Sequence, residues 1–248
     1  MGPNVVSTHE VLRLAAQGRA KAVHVVSTMS TLPMHMGYEM TEADNEYGYA
    51  VSKYNAERMV AAARWRGAEA SVYRLPFVTA SSASGHFRRN NGDFLHNFIA
   101  GCFEVGSFPR LDGADLGAVL PVDYLCATIA SIMTSDRSRI GRDYDFSHGN
   151  APSFNDFFQM LSAAGGAARE LMPFGQWREK ALAHAARDRT TSLARIASLI
   201  DGISDWNAAA FVTGPKTGCD VLGGTIYPAP TVDARSVQKY VDQIAAAR

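Results

Sequence analysis

Tyr49 and Lys53 stand four residues apart in the string Gly48-Tyr49-Ala50-Val51-Ser52-Lys53, a spacing that puts both side chains on one face of a helix. An ammonium beside a phenol favours the phenolate, so the pair lets tyrosine exchange a proton near neutral pH instead of near its free pKa of about 10. Reduction of a carbonyl by hydride requires that proton chemistry. Thr28, which follows the apolar run Ala22-Val23-His24-Val25-Val26 and Ser27, adds a hydroxyl able to hold the carbonyl oxygen. In this reading Thr28 donates a hydrogen bond to the substrate oxygen and Tyr49 passes it a proton. Lys53 lowers the tyrosine pKa and anchors a cofactor ribose. The segment Arg74-Leu75-Pro76-Phe77-Val78 brings rigid backbone beside a nicotinamide ring, so Lys53, Arg74, Pro76 and Val78 are the cofactor-binding candidates. A bare Tyr-x-x-x-Lys also arises by chance on solvated helix faces. The longer string Tyr49-x-x-Ser52-Lys53-x-x-Ala56-Glu57, set between Ser27-Thr28 and Tyr73-Arg74-Leu75-Pro76, is far more specific. Tyr47 and Tyr54 fail the same test, because Val51 and Arg58 stand four residues after them.

The elements that must position these residues follow a βαβ order. Ser7 to Gln17 reads as a helix, with Ser7 and Glu10 as a capping box and Gly18 as its stop. Ala22 to Val26 is a continuous β-prone run of the kind buried on both faces in a parallel sheet, and its end delivers Ser27 and Thr28. Tyr49 to Trp65 carries a helical pattern ended by Gly67, and Ala70 to Arg74 is the next strand, stopped by Pro76. Ligands in open α/β sheets gather at the carboxyl ends of strands, which lets Thr28 and Tyr49 share a site. Further on, Thr79 to Gly85 is a small-residue loop, Phe94 to Val105 an apolar helix, and Val122 leads into an Asp123-capped helix through Met133. Asp143 to Phe146 is a last strand, and another capped helix starts near Ser153. From Leu171 strand signals nearly vanish. Helical segments cover Trp177 to Ala186 and Ser192 to Ile200, followed by a Gly/Pro-rich stretch from Gly214 to Pro230 and a final helix from Asp233. The fold class is α/β: a partial Rossmann-like parallel sheet, the C-terminal half of a cofactor domain, with a mostly helical substrate region. We place the incomplete catalytic domain at 1–165 and the helical substrate-binding region at 166–248.

Composition narrows the function classes. The 248 residues are 47% hydrophobic, enough for a sizeable core. Equal numbers of basic and acidic residues, 24 of each, give no global field to recruit nucleic acid or an anionic membrane. The 3 cysteines, Cys102, Cys126 and Cys219, have no C-x-x-C spacing, which argues against a disulfide framework and for a reducing compartment. With no apolar stretch of about 18 residues and no signal-peptide pattern at Met1, a soluble, cytoplasmic protein is expected. The 7 histidines lack ligand spacing, so no metal site is expected. Cys102, Phe94, Phe98 and Phe103 read as packing residues.

The chain resembles the extended short-chain dehydrogenase/reductase superfamily, and within it the thioester reductase domains that terminate nonribosomal peptide synthetases and carboxylic acid reductases. The resemblance runs from about Glu10 to Leu161. It rests on His9-Glu10-Val11-Leu12-Arg13-Leu14-Ala15, Val25-Val26-Ser27-Thr28, the tyrosine string, Gly92-Asp93-Phe94, Gly106-Ser107-Phe108-Pro109, Leu120-Pro121-Val122-Asp123-Tyr124 and Ser153-Phe154-Asn155-Asp156. It implies NADPH-dependent reductive release of a thioester from a carrier protein's phosphopantetheine arm, giving an aldehyde or an alcohol, with Thr28, Tyr49 and Lys53 as the catalytic triad. The carrier protein would dock locally; Arg88-Arg89 and Arg64-Trp65-Arg66 are candidate contacts for its acidic surface, the alternative for each being a solvated basic face.

One departure limits the resemblance. Family members open with a strand and a glycine-rich turn whose N–H groups hold the cofactor pyrophosphate at a helix N-terminus. Gly165-Gly166 and Gly223-Gly224 lack that spacing, and no such turn occurs. Roughly four strands with their crossovers, on the order of 120 residues, are expected ahead of Met1, and the isolated chain is expected to bind NADPH weakly. Three alternatives stay open: non-reductive release by cyclisation, a cofactor-deficient pseudoenzyme of the same fold, and a nucleotide-sugar epimerase or dehydratase.

Overall fold

The structure, a computed structural model, describes residues 2–37, 39–41, 47–87, 93–112, 119–134, 139–146, 152–166, 169–203, 230 and 232–246. The Gly/Pro-rich stretch before Pro230, Cys219, Gly223-Gly224 and Arg88-Arg89 lie outside them. The chain divides into two compact units, one of Met1–Pro76, Leu125–Gly149 and Val212–Ala229, the other of Phe77–Tyr124, Asn150–Phe211 and Pro230–Arg248.

In the first unit, strands β1 (Val23–Thr28), β2 (Ala70–Leu75) and β6 (Asp143–Asp145) form a parallel sheet in the order β1-β2-β6. β1 and β2 pair in register from Val23↔Ala70 to Thr28↔Leu75, and helix α3 (Tyr47–Trp65) is the crossover between them. β1 thus lies at an edge of the described sheet. Val23 N–H bonds back toward Glu69 at 2.8 Å, so by the alternation of a strand the backbone groups of His24, Val26 and Thr28 face away from β2. One face of the sheet packs Val23, Ala70 and Val72 against Val60 of α3, with Leu12 and Ala15 of α1 (Ser7–Ala16) beside them. The Tyr73 ring stacks between His24 and Tyr144 at centroid distances of 5.8 and 5.4 Å. Burial pushes the Tyr73 phenol up to about 12. The N-terminus differs from expectation: a π-helical turn, Gly2–Val6, precedes α1, and Ser7 donates to the Pro3 carbonyl instead of capping.

The second unit is mainly helical. Its core packs Phe98 of α4 (Phe94–Val105), Phe154 and Phe158 of α6 (Phe154–Ala164), Trp177 of α7 (Phe174–Arg187) and Ile196 of α8 (Ser192–Gly202). Trp177 is fully buried because its indole N–H reaches the Ser107 carbonyl at 3.1 Å, which removes the penalty of burying that donor. Gly101 lets α4 approach α8 closely, since a Cβ there would collide with Leu193. Cys102 is a buried core residue, as expected, and burial raises its thiol pKa. Ser153 and Asp233 cap α6 and α9 (Ala234–Ala245) through reciprocal capping boxes. Two short parallel pairs were not expected from the sequence: β3 (Phe77–Thr79) with β5 (Val119–Pro121), and β4 (Phe108–Arg110) with β7 (Leu171–Pro173). Helix α5 (Val122–Thr134) runs from the second unit into the first, and α2 (Leu32–His35) is a single turn after β1. Among the described residues no helix is long and apolar enough to cross a membrane.

Candidate active site

The C-terminal end of β1 is shaped by hydroxyl chemistry. Thr28 is extended, and its Oγ1 accepts the Ser30 N–H at 3.2 Å, capping the 3₁₀ turn Met29–Thr31. Its own hydroxyl hydrogen is directed to Ser30 Oγ at 3.2 Å. Thr31 Oγ1 lies 2.9 Å from both the Thr28 carbonyl and Glu57 Oε1, and its one hydrogen serves these two acceptors in turn. These bonds stop the strand at the residue that carries the hydroxyl.

Tyr49 and Lys53 lie one turn apart near the start of α3. Tyr49 is 50% exposed, and its carbonyl accepts the Ser52 hydroxyl at 2.8 Å. Ser52 is buried and in turn accepts Asn4 Nδ2–H at 2.8 Å, so the N-terminal turn braces the first turns of α3. The Lys53 ammonium donates to the Val26 carbonyl of β1 at 3.1 Å, on the edge that faces away from β2. A cleft of about 320 Å³ opens there, lined by Lys53, Asn4, Thr8, His24, Val26 and Ser27 among others. Burial lowers the Lys53 pKa, and the negative charge of Glu57 opposes that fall.

The expected cofactor residues fall in different settings. Arg74 is buried in β2, and its guanidinium is committed on every side: Nε to Glu57 Oε2 at 2.8 Å, Nη1 to Asp145 at 2.9 Å and Nη2 to Asp143 at 2.9 Å. Pro76 ends the first unit and Val78, in β3, belongs to the second. Of the expected carrier contacts, Arg64 is tied to Asp143 and to the Ala70 carbonyl, while Trp65 is 88% exposed.

The structure surrounds with partners a residue that the spacing argument counted in its string without giving it a role. Glu57, one turn beyond Lys53, is 3% exposed and collects the Ser27 hydroxyl, Thr31 Oγ1 at 2.9 Å, His35 Nε2 at 2.6 Å and Arg74. Burial alone would raise its pKa, but the hydrogen bonds of His35, Arg74 and Ser27 together with the Arg74 charge bring it down to about 2. The sequence did carry a signal. Glu57 falls in line with Lys53 and Val60 on α3, and Arg74 interrupts an otherwise buried strand, two charges at inward positions that call for each other.

The model of an NAD-binding family described as male sterility protein matches residues 1–129. The PKS-NRPS hybrid synthetase acdB of Aspergillus candidus is 48% identical over 246 residues, 98% of this chain and 10% of that synthetase. The terminal R domain from the myxalamid PKS-NRPS biosynthetic pathway superposes with a TM-score of 0.79 at 28% identity, covering 98% of this chain and 62% of that one. A thiolation-reductase di-domain from an archaeal non-ribosomal peptide synthetase, at 18% identity and a TM-score of 0.73, shares the fold over 98% of this chain and 53% of its own. The chain therefore spans a tenth of that curated relative and about three-fifths of the R domain. With more than half its length matched by the family model, and with the Tyr49–Lys53 helix crossing between parallel strands of a Rossmann-like sheet, the chain belongs to the NAD-binding family described as male sterility protein.

Proposed function

We propose that this chain is the catalytic part of a reductase that releases a thioester from the phosphopantetheine arm of a carrier protein, as an aldehyde or alcohol, at the expense of NADPH. The observation that carries the reading is the Lys53 ammonium held against the Val26 carbonyl, two residues before Thr28 and one helical turn after Tyr49. The similarity to an R domain and to a thiolation-reductase di-domain supports the thioester and the carrier protein.

The donor set suits a nicotinamide nucleotide at its ribose end, where Lys53 offers a half-buried ammonium one helical turn from Tyr49. When bound, that cofactor supplies hydride to the carbonyl carbon. The chain's own residues do the rest. Thr28 turns its hydroxyl hydrogen from Ser30 Oγ to the substrate oxygen, which polarises the carbonyl. Tyr49 gives its phenolic proton to the oxygen as negative charge develops there. The resulting hemithioacetal then breaks its C–S bond, its hydroxyl hydrogen passing to the departing sulfur, so that the pantetheine leaves as its thiol and the acyl group as an aldehyde. An alcohol requires a second NADPH and a second proton. Lys53 stabilises the resulting phenolate and hydrogen-bonds the ribose. Pro76 offers backbone at the end of β2, and Arg74 contributes backbone to the same stretch while its side chain braces β2.

The test is product analysis with an acyl-phosphopantetheinyl carrier protein, with and without NADPH. Aldehyde or alcohol formed only with NADPH supports the reading. Release of a cyclic product without NADPH would replace it by non-reductive release, and no turnover in either arm at NADPH concentrations that saturate the chain would overturn it.

A further inference from the structure

We propose that Glu57 is a positioning residue for the Thr28–Tyr49–Lys53 constellation: a buried carboxylate that pins the end of β1 and strand β2 to helix α3, one turn from Lys53, and acts on the Lys53 ammonium through its charge. The inference rests on the role given to those three residues above.

The geometry joins every element that presents the site in this unit. Glu57 Oε1 receives the hydroxyl of Ser27, the neighbour of Thr28, and shares the one hydroxyl hydrogen of Thr31 with the Thr28 carbonyl, each 2.9 Å from Thr31 Oγ1. Oε2 receives His35 of α2 and Arg74 of β2. One carboxylate thus fixes the strand end, the turn behind it, the following helical turn and the neighbouring strand to the helix that carries Tyr49 and Lys53. A residue that served packing alone would not need ionisation, since a buried pair costs desolvation that well-packed apolar side chains avoid. Charge is the property that an apolar replacement could not supply. Lys53 sits one turn away on the same helix face, partly withdrawn from water, a setting that favours the neutral amine. The charged and titratable groups facing Glu57 are His35 and Arg74, with Asp143 and Asp145 behind Arg74; His24 shares the cleft with Lys53.

The experiment follows the Lys53 side chain by NMR in the intact chain labelled at lysine, with Lys53→Met to assign the signal. In Glu57→Gln the Lys53 titration midpoint should shift downward, while Glu57→Asp, which keeps the charge, should hold it near the wild-type position. Where Glu57→Gln does not fold, the double variant Glu57→Gln/Arg74→Met is compared with Arg74→Met alone, so that the lost Arg74 charge is common to both, and should show the downward shift relative to it. A Lys53 midpoint unmoved in whichever of these two folds overturns the proposal. Neither NADPH nor thioester enters the measurement, so it can fail while the reductase reading stands, and the reductase reading can fail while Lys53 still responds to Glu57.

Discussion

Replacing Glu57 by Gln removes the charge of a carboxylate whose pKa is brought from 4.5 to about 2 in the fold. At about 1.36 kcal/mol for each pH unit, ionised Glu57 stabilises the native state by about 3 kcal/mol at neutral pH. The sign follows from linkage. Because the folded pKa lies below the unfolded one, the contribution is fully present above 4.5 and is lost as pH falls through about 2. The side chain is 2% exposed, so solvent screening takes little from the figure. Glu57→Gln should therefore lower the unfolding free energy by about 3 kcal/mol at pH 7, and by only about 1 kcal/mol near pH 3, where the wild-type chain has itself begun to lose the contribution. Urea denaturation followed by circular dichroism at both pH values measures this. An equal loss at pH 7 and pH 3 would refute the argument, because it would assign the effect to hydrogen-bond shape and not to charge. A loss well under about 1 kcal/mol at pH 7 would mean that the remaining partners of Arg74, Asp143 and Asp145, suffice for it.

Three further outcomes are expected. Gly101→Ala should destabilise the second unit by about 1–3 kcal/mol, because the added methyl meets Leu193 on α8; a thermal melt matching wild type would show that α4 and α8 do not pack as described. Tyr49→Phe should reduce NADPH-dependent turnover by about 10²–10⁴-fold with little change in the unfolding midpoint, and retained turnover would take the proton-donor role away from Tyr49. Calorimetric titration of the chain with NADPH should give weak binding, since the glycine-rich pyrophosphate turn is not found in its sequence; micromolar affinity would contradict that.

Elements with one dominant local signal were legible to within a residue or two. Phe94–Val105 coincides with its expected span, since Asp93 caps it and Gly106, in the left-handed region, ends it. The strand ending at Thr28 and the crossover helix were equally plain, because a run of β-branched residues and then a long helical period leave few alternatives. The three-residue strands β4, β5 and β7 were not legible. At that length periodicity carries no information, and what makes them strands is the partner they meet, as Pro109 does opposite Met172. The break at Pro76 shows the same limit. The proline was read as the end of a strand, yet the chain resumes extended pairing at Phe77 with a different partner, Val119. Tyr49 and Lys53 could be read from spacing because their relation is local to one helix. The bracing by Glu57 could not, since its partners Ser27 and Arg74 lie 30 and 17 residues away and only the fold chooses among them.

The placement of Glu57 also explains why Lys53 stays available. Lysine and glutamate four apart on an exposed helix ordinarily reach for each other. Here the carboxylate is drawn inward by Arg74, His35, Ser27 and Thr31, while the ammonium is drawn to a backbone carbonyl of β1. A lysine paired directly with a carboxylate would have its charge spent and its position fixed by that partner. A carboxylate one turn away, locked by other donors, acts on Lys53 through its field alone, which favours the charged form without occupying the ammonium hydrogens. The Val26 carbonyl is a neutral acceptor, so the hydrogen bond that holds Lys53 toward β1 adds no direct carboxylate partner to the ammonium, which is what the proposed stabilisation of a Tyr49 phenolate would need.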